Sequence, residues 1–185
     1  MLEKLKKSLE AAAIVRFGDY DYFVHPLTDG IPRMERELLA EIVDQMLLIG
    51  DFNCDMIVTP EAMGIPLAVA ISERTGVPYN VVRKRRYGLE GEVSVCQVTG
   101  YCRNQLYING VRPRDRVTVV DDVVSTGGTL VAVVMALKKM GAVIVDVIAA
   151  IEKTSKMGEI ESELGHRIKT LVKVEVRGGR LVVLT

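Results

Sequence analysis

A chain of 185 residues, 49% hydrophobic and 26% charged, is long enough to bury one core without disulfides or structural metals. Its 24 Lys and Arg balance 24 Asp and Glu, which argues against a protein held to nucleic acid by bulk charge. The longest apolar stretches, near Val143–Ile151 and Val117–Val120, fall far short of the roughly 20 residues a membrane helix needs, and MLEKLKKSLE lacks the pattern of a secretory leader, so a cytoplasmic location is expected.

Helical periodicity marks residues 2–12 and 35–49. In the second stretch Leu38, Leu39, Ile42, Val43, Met46 and Leu47 form one stripe, with Glu37, Glu41 and Asp44 opposite. Between them the aromatic, Gly- and Pro-containing stretch GDYDYFVHPLTDGIP predicts an irregular lid or binding loop over about 14–33. From Cys54 a short buried run, CDMIVT, leads into PEAMGIP and the helical LAVAISERTG, which Gly76 is placed to cap. Residues 78–83 read as another strand. Residues 92–98 and 105–109 read as an exposed hairpin joined by TGYCRN.

A strand over 116–120, a loop over 121–128, a helix over 129–140 and a strand over 143–151 complete the alternation. Strands that are nearly continuous Val and Ile, interleaved with helices, predict an α/β fold with a central, mainly parallel sheet flanked by helices, a small hood and a flexible hairpin lid. One domain over 1–185 is expected, with the hood from about 14–33 and 152–165. Cys54, Cys96 and Cys102 form no C-x-x-C pair and are read as reduced. His25 and His166 stand alone and are read as structural unless a site claims one of them.

Ligands of such sheets sit beyond the carboxyl ends of the strands, so the loops starting at Thr59, Arg83, Asp121 and Ile151 matter most. RVTVVDDVVSTGGTL is the most informative of them. An apolar strand runs into Asp121 and Asp122, and Ser125, Thr126, Gly127, Gly128 and Thr129 then open an amphipathic helix. Small and hydroxylated residues there let backbone N–H groups and the positive helix end face a phosphate monoester. The two acids are suited to vicinal hydroxyls or to Mg²⁺ held through water. No Walker loop is present.

VTVVDDVVSTGGT resembles the phosphoribosyl pyrophosphate signature of the type I phosphoribosyltransferases. The order of hood, TPEAMGIP, VRKRRYGL, hairpin, signature and AIEKTSKMGE is most similar to the archaeal hypoxanthine/guanine phosphoribosyltransferases. The resemblance implies that Ser125, Thr126, Gly127, Gly128 and Thr129 cradle the 5′-phosphate and that Asp121 and Asp122 hold the ribose hydroxyls. Mg²⁺ would come with the substrate, with Asp122 reaching it through water. It further implies pyrophosphate contacts from Glu61, Ala62, Met63, Gly64, Arg83 and Lys84, with a nonproline cis peptide near Glu61 or Ala62.

Tyr101 aligns with a lid tyrosine of the adenine enzymes. The carboxylate before it in those enzymes is Gly100 here, their pyrophosphate-loop arginine is Met63, and the phosphate-loop aspartate of the human-type enzymes is Ser125, so no general base is assigned. Lys153 in a 6-oxopurine enzyme would donate to the exocyclic oxygen, and Tyr20, Tyr22, Phe23 and His25 are candidates to contact the purine. The implied activity is conversion of hypoxanthine, and of guanine, with phosphoribosyl pyrophosphate into nucleotide and pyrophosphate, by a homodimer that binds neither nucleic acid nor membrane. The alternatives are an adenine or xanthine phosphoribosyltransferase, or a non-catalytic regulator that senses phosphoribosyl pyrophosphate.

Overall fold

The computed structural model describes residues 2–18, 20–96 and 105–184. Helix α1 (Glu3–Glu10) turns Leu5 and Leu9 fully inward. Strands β1 (Ala13–Phe17) and β2 (Tyr20–Val24) pair antiparallel from Ala13↔Val24 to Phe17↔Tyr20, and the one-turn helix α2 (Pro26–Asp29) precedes α3 (Arg36–Ile49). The expectation of an irregular stretch over 14–33 is therefore corrected to a hairpin and a short helix. Both strands carry β-formers, but polar and aromatic residues alternate with little difference in burial, so the period of two is faint.

The remaining elements are β3 (Met56–Pro60), α4 (Gly64–Thr75), β4 (Tyr79–Val82), β5 (Val93–Cys96), β6 (Gln105–Ile108), β7 (Arg116–Val124), α5 (Gly128–Lys139), β8 (Val143–Glu152), α6 (Met157–Leu164), β9 (Lys169–Arg177) and β10 (Arg180–Leu184). The main sheet has the order β10-β9-β8-β7-β3-β4, parallel throughout except for β10 against β9. Successive strand residues serve opposite faces, as the pleat requires. Ile57 and Ile148 pack with Leu9, Ile42, Met46 and Leu67 beneath α1, α3 and α4. Val58 and Ala149 pack with Val133, Leu137 and Leu164 beneath α5 and α6.

Two further expectations change. β7 continues through Val124, because Val123 and Val124 stay in register with Ile151 and Glu152 of β8; Asp121 and Asp122 are strand residues rather than the start of a loop. Strands β5 and β6 do pair, but Leu106 and Ile108 are buried in the core and Arg83 and Tyr107 exchange backbone hydrogen bonds of 3.0 and 2.7 Å. The described part of the hairpin is thus stitched to the end of β4 rather than standing clear of it. Residues 97–104, with Tyr101, lie outside the described residues. Cys54 is free, whereas Cys96 is disulfide-bonded, which corrects the reading of it as reduced: an odd cysteine count leaves room for one pair.

Candidate active site

The central strand β7 delivers two carboxylates to the carboxyl edge of the sheet and keeps them largely out of solvent. Asp121 is 7% and Asp122 9% exposed, and Asp121 Oδ1 accepts a 2.9 Å hydrogen bond from the Asp122 amide. Burial, and then the Asp122 charge, push the Asp121 carboxyl well above the ordinary range. Burial likewise lifts Asp122 to about 6. Buried carboxylates of this kind call for hydroxyl donors or a cation. Among the described residues no three His, Cys, Asp or Glu side chains gather to hold a metal ion, so a cation here would take most of its ligands from a bound substrate or from water.

Immediately beyond, Gly127 takes a left-handed conformation (φ 76°) as the N-cap of α5, and a Cβ there would lie 2.7 Å from Ile160. Both facts require glycine. The turn wraps Ser125 to Thr129 around the positive end of a twelve-residue helix, with Gly128 N weakly directed at Thr126 Oγ1 (3.5 Å).

Just beyond the neighbouring strand β3, the peptide Glu61–Ala62 is cis, at the position the sequence resemblance implied. Gly64 opens α4 against Thr59 and Asp121: a Cβ would overlap Thr59 Oγ1 and come within 3.2 Å of Asp121 Oδ1. The Glu61 carboxylate is engaged from the next strand end, accepting from the Lys84 amide at 2.8 Å and lying 2.8 Å from Arg83 Nε. That Nε is buried and, although close enough for ion pairing, has no aligned hydrogen-bond acceptor. The structure therefore joins residues 61–64 to Arg83 and Lys84 in one corner, with the Glu61 side chain serving as its internal brace.

The hood closes the opposite side. Lys153 follows β8, its amide donating to Val124 O (2.7 Å), and its ammonium donates to Tyr20 Oη (2.9 Å) and Asp21 O (2.8 Å). The same ammonium lies 4.2 Å from the Tyr20 ring centroid, 5.2 Å from Phe23 and 6.0 Å from Tyr22. These side chains, with Thr28, Val123 and Ser125, line a narrow cleft beside the acid pair. Lys153, Tyr22 and Phe23 are thus brought together as expected.

His25 is not among them. It is fully buried, its Nδ1 accepts from Leu27 N (3.1 Å) to cap α2, and its Nε2 meets Ser8 Oγ of α1 at 3.0 Å. Its expected place against a purine is corrected to a structural one, and burial lowers its pKa to about 4. Sequence reasoning passed over Thr28 and Val123. The first sits in an N-capped turn hidden within PLTDG, and the second was read as loop.

The phosphoribosyl transferase domain family matches residues 31–165, and with that match over most of its length the chain belongs to the phosphoribosyltransferases. Curated relatives from Methanobacterium paludis (54% identical, 99% of this chain and 96% of theirs) and Methanococcus vannielii (48%, 100% of both) are named hypoxanthine/guanine phosphoribosyltransferase. Among solved structures, the adenine phosphoribosyltransferase of Thermoanaerobacter pseudethanolicus superposes with a TM-score of 0.76 at 24% identity, covering 94% of this chain and 99% of that one, a likeness of fold alone.

Proposed function

We propose that the protein transfers the phosphoribosyl group of phosphoribosyl pyrophosphate to N9 of hypoxanthine or guanine, giving IMP or GMP and pyrophosphate in purine salvage. The observation that carries this reading is the Lys153 ammonium set among Tyr20, Tyr22 and Phe23, in a cleft that shares Val123 and Ser125 with the end of the acid-bearing strand. A cation that can only donate suits a 6-oxo group and opposes a 6-amino group. Near-complete alignment with relatives bearing that name supports the same choice.

In this reading the amides and hydroxyls of Ser125 to Thr129 bind the 5′-phosphate, while Asp121 and Asp122 accept from the ribose 2′- and 3′-hydroxyls and fix the ring. The backbone of Glu61 to Gly64, with Arg83 and Lys84, faces the pyrophosphate. The C1′–O bond breaks with its electron pair leaving on pyrophosphate, the C1′–N9 bond forms, and the N9 proton leaves on the departing pyrophosphate. The chain's own contribution is to align the two reactants, supply cationic and N–H groups where leaving-group charge grows, and keep water from C1′. Among the described residues the buried acid pair has no third His, Cys, Asp or Glu beside it, so a Mg²⁺ would come with the substrate, Asp122 would help hold it through water, and it would neutralise pyrophosphate charge. A homodimer belongs to this reading too: Tyr87 and Leu89, exposed just beyond Arg83 and Lys84, offer apolar surface that a second copy beside the site would cover.

The test is nucleotide formation from phosphoribosyl pyrophosphate and Mg²⁺ with hypoxanthine, guanine, xanthine and adenine in parallel, for the wild type and for Lys153→Ala. Turnover of hypoxanthine and guanine that falls at least about tenfold in the variant is the expected result. Selective turnover of adenine would overturn the 6-oxopurine assignment, and absence of product with every base would overturn the transfer reaction.

A further inference from the structure

Three donors converge on one carboxylate behind the hood cleft. Asp29 Oδ1 accepts from Tyr22 Oη at 2.6 Å, and Asp29 Oδ2 accepts from Thr28 Oγ1 at 2.6 Å and from the His25 amide at 3.0 Å. Two of the three donors, Tyr22 and Thr28, line the cleft, whereas Asp29 does not. It stands at the end of α2, so a single carboxylate ties that turn to strand β2. Without it, the Tyr22 hydroxyl would lose this anchor and Thr28 Oγ1 would keep only a 3.4 Å bond to His25 O, so the wall facing Lys153 would be held less firmly. Charge-assisted hydrogen bonds of this length are the strong ones, and a binding surface is only as well placed as the groups that hold its side chains.

We propose that Asp29 is a positioning residue for the purine, acting through the Tyr22 and Thr28 hydroxyls to hold the base cleft in its binding geometry. This rests on the functional reading above. It assigns Asp29 no contact with the substrate and no part in the phosphate or pyrophosphate subsites, so its influence falls on the base alone.

The experiment is steady-state kinetics, with both substrates varied, on wild type, Asp29→Asn, Tyr22→Phe, Thr28→Val and the Asp29→Asn/Tyr22→Phe double variant, alongside thermal melts. Asparagine keeps the shape but turns an amide NH2 toward one set of donors. KM for hypoxanthine should rise about tenfold in Asp29→Asn, with KM for phosphoribosyl pyrophosphate and kcat within about twofold. A residue that merely stabilised the fold would not produce that split. The double variant should be no worse than the poorer single variant, because both changes break the same link.

Equal rises in both KM values, or fully additive losses in the double variant, would overturn the proposal. Should Asp29→Asn fail to fold, the two hydroxyl deletions carry the test: a rise confined to the base KM in both supports it, and no rise in either overturns it. The wild-type arm separates this inference from the reading beneath it. Turnover with an unchanged base KM in the variants sinks only the role of Asp29, whereas no turnover with any purine sinks the reaction and this role together.

Discussion

Asp121 and Asp122 are ionisable side chains placed where ionisation is costly, and the cost has a direction in pH. Their folded-state pKa values lie above the ordinary carboxyl value, so the folded chain binds more protons than the unfolded chain. The stability this contributes is present below the ordinary value of 3.8 and is lost as pH rises through about 6 for Asp122; for Asp121 it is lost as pH rises above the ordinary carboxyl range. Asp121→Asn should accordingly raise Tm of the ligand-free protein at pH 7.5 by several degrees while removing turnover; a melt beside a fixed-time assay checks both. His25 works in the other direction: its contribution is present above 6.5 and is lost as pH falls toward about 4. The acid pair and the small-residue turn after it were legible in the sequence because they occupy consecutive residues. The roles of His25 and Asp29 were not, because each depends on partners such as Ser8 and Tyr22 that meet only when the hood hairpin folds over α1.

The turn proposed to hold the 5′-phosphate depends on how α5 begins. A methyl group at Gly127 would have to hold a positive φ and displace Ile160 of α6, so Gly127→Ala should move the helix start whose amides are proposed to face the phosphate. The expected outcome is a rise of about 100-fold in KM for phosphoribosyl pyrophosphate, with loss of the increase in Tm that inorganic phosphate gives the wild type by mass action; calorimetry with and without phosphate measures the second effect. Sequence periodicity identified α3, α4, α5, β3, β4, β8 and the first half of β7, since each buries an apolar face, whereas α6, β9 and β10 went unread. It misjudged elements whose faces are mixed. β1 and β2 have no strongly buried side apart from Phe23, and β7 ends in two acids that look like loop until the ladder to β8 is seen. The hairpin β5–β6 was recognised from its alternation, but its attachment through Arg83 and Tyr107 is a long-range pairing that no local pattern announces.

Taken whole, the molecule rests its hood on its first helix. Leu5 and Leu9 of α1 are fully buried in the cluster shared with α3 and β10, Glu41 of α3 accepts from the Leu5 amide at 2.8 Å, and Ser8 reaches His25 under the cleft. Leu9→Ala should cost about 3 kcal/mol, read as a lower midpoint in urea with an unchanged slope. The likeness to relatives over nearly the full chain agrees with this, since the match extends over the helix as well as the signature.

The contact between Lys153 and Tyr20 joins positions 133 apart in the chain. Contacts of such separation close late, after the entropy of the intervening loop has been overcome by the sheet. The cleft therefore needs both β2 and the end of β8, and a fragment that lacks either cannot form it. During refolding, recovered purine binding would time the arrival of the hood onto the end of β8, a later event than assembly of the sheet itself.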